Sequence, residues 1–188
     1  MKTANLDQLA MDAINENIEL AEITINTPRV KDSDSCYGNA ALLLLASVLD
    51  AIGSYYNHQD SKGQFVSFNS KPNIEERDGG KEHFKQVYDN YICNMKDNCG
   101  YTSQDMFIKD FYKNFRCGVT HNAVFSDGKL AMHTNTDSSN KILNVNDLLN
   151  MVKTVRDDFF NKHRSDFTFV DNKVEPETGY TINNQFQN

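Results

Sequence analysis

The chain has 188 residues, enough for one domain with a substantial core and too few to expect two. Hydrophobic residues make up 39% and charged residues 24%, the balance of an ordinary globular protein. The net charge of −7 excludes broad, non-specific nucleic-acid binding, which needs a basic surface, and leaves room only for a local basic groove.

Leu6–Ala21 reads as the first helix, because Leu6, Ala10, Ala13, Ile14, Ile18 and Ala21 follow three–four spacing. Glu22–Val30 carries β-branched residues and a proline, which predicts an extended connector. The charged stretch Lys31–Ser35 follows, with Asp34 or Ser35 placed to cap the next helix. Asn39–Asn57 is the clearest helix of the chain. Ala41, Leu44, Leu45, Val48, Leu49, Ile52 and Tyr55/Tyr56 form one stripe, and Leu42 and Leu43 widen it. A helix apolar over so much of its circumference belongs at the centre of a bundle. Gly53 costs it about 1 kcal/mol relative to alanine, which points to a close approach by a neighbouring helix.

A long polar connection, residues 58–80, comes next, with Gln64–Phe68 as a short strand or a collapsed loop. Lys81–Met95 returns to helix through Phe84, Val87, Tyr88, Tyr91, Ile92 and Met95. Asp97–Thr102 breaks the pattern, and Ser103 caps a helix over Gln104–Arg116 whose inward face is Met106/Phe107, Ile108, Phe111, Tyr112 and Phe115. Ala123–Thr136 contains Asp127-Gly128, a hairpin turn signal with short flanking strands. Val145–His163 is the last helix, capped by Asn144 or Asn146, with Leu148, Leu149, Val152, Val155, Phe159 and Phe160 inward. Ser165–Val170 reads as a short extended piece. The expected fold is therefore all-α: a bundle of four to five helices with a small β-hairpin insertion, residues 1–170 as a single domain and 171–188 as a polar, flexible tail.

The longest apolar run, Ala40–Val48, stops at Asp50 and is short for a membrane span, and the N-terminus lacks an apolar signal core. A cytoplasmic protein without membrane attachment is expected. Cys36, Cys93, Cys99 and Cys117 form no CxxC pair, and with His83 they match no common zinc spacing, so neither a metal site nor a cofactor is expected. His58, His83, His133 and His163 have no partner at a telling spacing and read as surface residues.

The chemistry concentrates in Phe111–Phe125, FYKNFRCGVTHNAVF. Arg116 is a permanent cation with a donor fork suited to phosphate, and His121 can move a proton near neutral pH. Residues five apart on a regular helix point about 140° away from each other. For Arg116 and His121 to serve one site the backbone must bend, and Gly118 is the residue that permits it. Asn122 can hydrogen-bond a phosphate or the imidazole. Lys109, Lys113 and Arg116 stand at i, i+4 and i+7, which on an α-helix is one face: a basic track to the site or a solvated surface. Asp50 is either a solvated carboxylate or an acceptor that orients Arg116 or His121. Arg116 has a bland reading too, as a cation complementing the end of its helix.

Phe-Arg-Cys-Gly-Val-Thr-His, an R-x-x-x-x-H pattern at a helix end, resembles the signature of HEPN domains, and Ala41–Tyr56 resembles the long early helix of some HEPN-like bacterial proteins. The resemblance spans about residues 36–163. It implies an all-helical domain, often a metal-independent ribonuclease of stress, toxin–antitoxin or phage-defence systems. It also implies a homodimer whose two motifs face each other, RNA or a nucleotide as ligand, and an antitoxin-like protein as a further partner. In that reading Arg116 and His121 are catalytic, and Asn122, Lys109, Lys113 and Asp50 contact or orient the substrate. Active members often carry a polar residue, commonly Asn, Asp or His, directly after the arginine. Here it is Cys117, so the resemblance admits a second reading: a catalytically inactive module that binds a nucleotide or a protein partner through the same cleft.

Overall fold

A computed structural model of the chain describes residues 6–29, 32–36, 38–66, 68, 76–119, 130–131 and 143–167. Five helices dominate them. Helix α1 is Leu6–Asn26. Two short strands, β1 (Pro28–Arg29) and β2 (Asp32–Cys36), pair antiparallel after it. Helix α2, Gly38–Ser54, tightens into a 3₁₀ turn over Tyr55–His58. Helix α3, Glu76–Val87, and helix α4, Gln104–Ile108, each widen into i→i+5 winding, over Tyr88–Ile92 and Lys109–Val119 respectively. Strands β3 (Leu130–Ala131) and β4 (Leu143–Asn144) pair in parallel and lead into helix α5, Val145–His163, with a 3₁₀ turn at Arg164–Asp166.

Helix α2 is the axis of the fold. It packs against α1, α3, the wide part of α4 and α5. Leu42, Leu45, Ala46, Val48, Leu49 and Ile52 are fully buried, as its nearly continuous apolar circumference requires. Burying each leucine contributes about 1.5–3 kcal/mol. One core runs from Met11 to Phe167 and is rich in rings: Phe107, Phe111 and Phe115 follow one another with centroids 4.8 and 4.9 Å apart. The stretch Gly38–His58 is long and apolar enough to cross a membrane by length and composition, with an 18-residue window of mean hydropathy 1.3, yet 56% of that window is buried inside the fold. That burial is what the core helix of a bundle shows.

Several local expectations hold. Ser103 accepts a hydrogen bond from the Met106 amide at 3.3 Å, and Asn144 accepts one from the Asn146 amide at 2.9 Å, so both are helix N-caps. The break before α4 uses Cys99 and Gly100 in left-handed conformation, at φ 54° and 74°. Others change. Helix α1 continues to Asn26 because Ile25 extends the Met11, Ile14, Ile18, Ala21 stripe into the core. This packing overrides the low helix propensity of Ile-Thr-Ile-Asn. Asp34 and Ser35, expected as caps, lie inside β2. Helix α3 starts at Glu76, five residues before the expected Lys81, and so carries Gly79 and Gly80 within it. Met106 faces outward at 38% exposure instead of inward. The hairpin turn at Asp127-Gly128 and the tail 171–188 lie outside the described residues.

Candidate functional site

Helices α2 and α3 cross where Gly53 meets the backbone of His83. A side chain at Gly53 would run into the His83 carbonyl carbon at 2.5 Å. The missing side chain therefore lets α3 settle directly on α2, and that contact sets His83 beside Asp50, three residues before Gly53. The His83 Nδ1 lies 2.7 Å from Asp50 Oδ1. The other carboxylate oxygen, Oδ2, lies 3.0 Å from Arg116 Nε, delivered by the wide part of α4. One carboxylate thus joins three helices and holds both a histidine and an arginine. A second glycine makes room for the arginine: a Cβ on Gly80 would stand 2.6 Å from Arg116 Nη1. Beneath the guanidinium lies the Tyr112 ring, 5.9 Å from its carbon, within cation–π range.

The protonation pattern follows from the partners. A carboxylate that also receives a guanidinium is an acceptor, so Nδ1 of His83 carries the hydrogen and Nε2 is the nitrogen left for other chemistry. Among the described residues no hydrogen bond reaches that Nε2. The side chains of His83, Asp50 and Arg116 keep 18%, 21% and 41% of their surface exposed. The guanidinium is the most open of the three, while the imidazole and the carboxylate are mostly covered. The cluster sets a cation and an oriented imidazole on one carboxylate at the crossing of α2, α3 and the wide part of α4.

Of the residues singled out from the sequence, Asp50 and Arg116 are brought together. Lys109 and Lys113 are exposed on the same helix as Arg116. Their expected alignment assumed α-helical spacing, and the wide winding that starts at Lys109 changes it. His121 and Asn122 lie outside the described residues. The bend expected at Gly118 is absent, for the helix continues through it to Val119. Cys93, Cys99 and Cys117 carry thiols rather than disulfides, and among the described residues no group of three or more His, Cys, Asp and Glu side chains is placed to hold a metal ion. No family model, curated protein or solved structure matches the chain.

His83 is the residue that sequence reasoning missed. The pointers to it were glycines: Gly53 near the C-terminal end of the most apolar helix and Gly79-Gly80 just ahead of the histidine mark backbones that approach closely. His163, also expected at the surface, is 8% exposed. Its Nδ1 lies 2.9 Å from Asp166 Oδ2, which accepts the Tyr55 hydroxyl at 2.6 Å. Its Nε2 stands 3.4 Å from the Tyr56 hydroxyl, itself 2.9 Å from that of Tyr91. Burial lowers the pKa of His163, partly opposed by its bond to Asp166. The Tyr55 hydrogen bond lowers that of Asp166. Burial above all pushes the Tyr55 and Tyr91 phenols well up. This chain of satisfied polar groups ties the end of α5 to the ends of α2 and α3.

Proposed function

We propose that the chain is a metal-independent ribonuclease of the HEPN type, acting on single-stranded RNA in stress or phage defence. The observation that supports the reading is the Asp50–Arg116 pair at 3.0 Å, which orients a cation of the kind that suits phosphate where three helices meet. An RNA strand supplies its own nucleophile, the 2′-hydroxyl. Cleavage without metal needs a base for that proton and a cation for the charge that builds on the phosphate. His121 is the base and Arg116 the cation. Asn122, Lys109 and Lys113 guide the strand. Two copies form a symmetric homodimer with their motifs facing, and an antitoxin-like protein is the natural partner of such a cleft.

Purified protein should cleave single-stranded RNA in EDTA and spare DNA, which has no 2′-hydroxyl. Arg116→Ala and His121→Ala should each lower the rate about 10²–10⁴-fold with the helical circular dichroism unchanged. Light scattering at micromolar concentration should give a dimer. A second reading is favoured by Cys117, which stands where active members often carry a polar group: an inactive module that binds RNA, a nucleotide or a protein through the same surface. Cys117→Asn discriminates. It should raise cleavage if the ribonuclease reading holds, whereas no cleavage by either the wild type or this variant hands the function to the binding module.

A further inference from the structure

We propose that His83 is the positioning residue of Arg116, acting through the Asp50 carboxylate. This role rests on the ribonuclease reading above, in which Arg116 is the cation that meets the phosphate charge. A carboxylate turns easily about its last side-chain torsion, whose energy wells are broad and roughly two-fold. One hydrogen bond fixes one oxygen and leaves the plane of the group free. Two donors, one on each oxygen, fix the plane. Asp50 has both: His83 Nδ1 at 2.7 Å on Oδ1 and Arg116 Nε at 3.0 Å on Oδ2.

The two donors are not held equally. Arg116 reaches Asp50 on a long side chain, rich in rotamer freedom, that keeps 41% of its surface exposed. The His83 side chain is shorter and 18% exposed. Its backbone is held as well, for it packs against Gly53 so closely that a Cβ there would stand 2.5 Å from the His83 carbonyl carbon and 2.6 Å from its Cα. Position therefore passes from the crossing of α2 and α3 to His83, from His83 to the carboxylate plane, and from Oδ2 to the guanidinium. The Gly80 backbone and the Tyr112 ring border that guanidinium. The charge-assisted bond to Asp50 is the directional contact that orients it.

The experiment uses the full-length protein with three substitutions of one residue. Asparagine places a side-chain N–H where Nδ1 stands, glutamine places it farther out where Nε2 stands, and alanine has none. The first readout is the Arg116 Nε–H resonance in ¹H–¹⁵N NMR, assigned with Arg116→Lys, and it needs no RNA. The bond to Asp50 slows its exchange with water. Exchange should stay slow in the wild type and in His83→Asn and become fast in His83→Gln and His83→Ala. The second readout is cleavage of single-stranded RNA in EDTA. His83→Gln and His83→Ala should lose about 10²-fold, the cost of a misplacement of about 1 Å, while His83→Asn stays close to the wild-type rate. Circular dichroism checks that all three variants are folded. A purely structural role for His83 would leave the Arg116 resonance in place. Slow exchange in His83→Ala, or cleavage by that variant at the wild-type rate, overturns the positioning role. So does exchange as fast in His83→Asn as in His83→Ala, because the Nδ1 donor is then not what holds the carboxylate. A wild type that cleaves no RNA overturns the ribonuclease reading, and the Arg116 resonance still decides whether His83 positions the guanidinium.

Discussion

Gly53→Ala tests the geometry on which the whole site depends. Alanine in place of glycine inside a helix gains about 1 kcal/mol from propensity alone. Here the new methyl would stand 2.5 Å from the His83 carbonyl carbon and 2.6 Å from its Cα, both backbone atoms of a packed helix that no rotamer change can move aside. Helices α2 and α3 must separate. Overpacking of this kind costs about 1–3 kcal/mol, and the upper end applies where the obstacle is backbone. The net effect is a loss of about 2 kcal/mol, or roughly 4–8 °C in Tm for a domain of this size. Gly80→Ala is the matched control. Its Cβ meets side chains only, the tip of the flexible Arg116 at 2.6 Å from Nη1 and the Tyr112 ring at 3.2 Å, and both can shift. Gly80→Ala should therefore keep or raise stability while displacing Arg116 and lowering RNA cleavage. Urea denaturation followed by far-UV circular dichroism reads both variants. A Gly53→Ala protein as stable as the wild type would refute the close crossing and with it the placement of His83 against Asp50.

Leu45→Ala and Phe111→Ala, each removing a fully buried side chain, should cost about 2–5 kcal/mol, whereas Met106→Ala, at 38% exposure, should stay within about 0.5 kcal/mol in the same urea assay. Stability should also fall with acid through His163. Its folded pKa lies below the unfolded value of 6.5, so the unfolded chain takes up the proton first, and the stabilisation present above pH 6.5 is lost as pH drops through the folded value. Asp166, likewise depressed, adds a loss of the same sign below pH 3.8. Urea midpoints at pH 7.5 and 5.5 should differ more for the wild type than for His163→Gln, and an equal or smaller difference in the wild type would remove His163 as the cause.

The helices and most of the core were legible in the sequence, because apolar spacing reports directly on which face of a helix is buried. The Leu45, Leu49 and Ile52 stripe, the Val145–His163 helix and the caps at Ser103 and Asn144 are local consequences of residue type. The end of α1 was not legible: residues of low helix propensity stay helical there only because Ile25 finds a core to enter. The pairing of Asp50 with His83 and Arg116 was half visible. A carboxylate in an apolar helix asks for a partner, yet the three residues are far apart in the chain, and no spacing rule relates them. Their meeting was decided by two glycine clearances at helix crossings and by the wide winding after Lys109 that sets the angle of Arg116. Periodicity assumes one pitch and sees one helix at a time. Which residues face each other across a crossing depends on how closely two backbones can approach, and that is a property of the packed helices together.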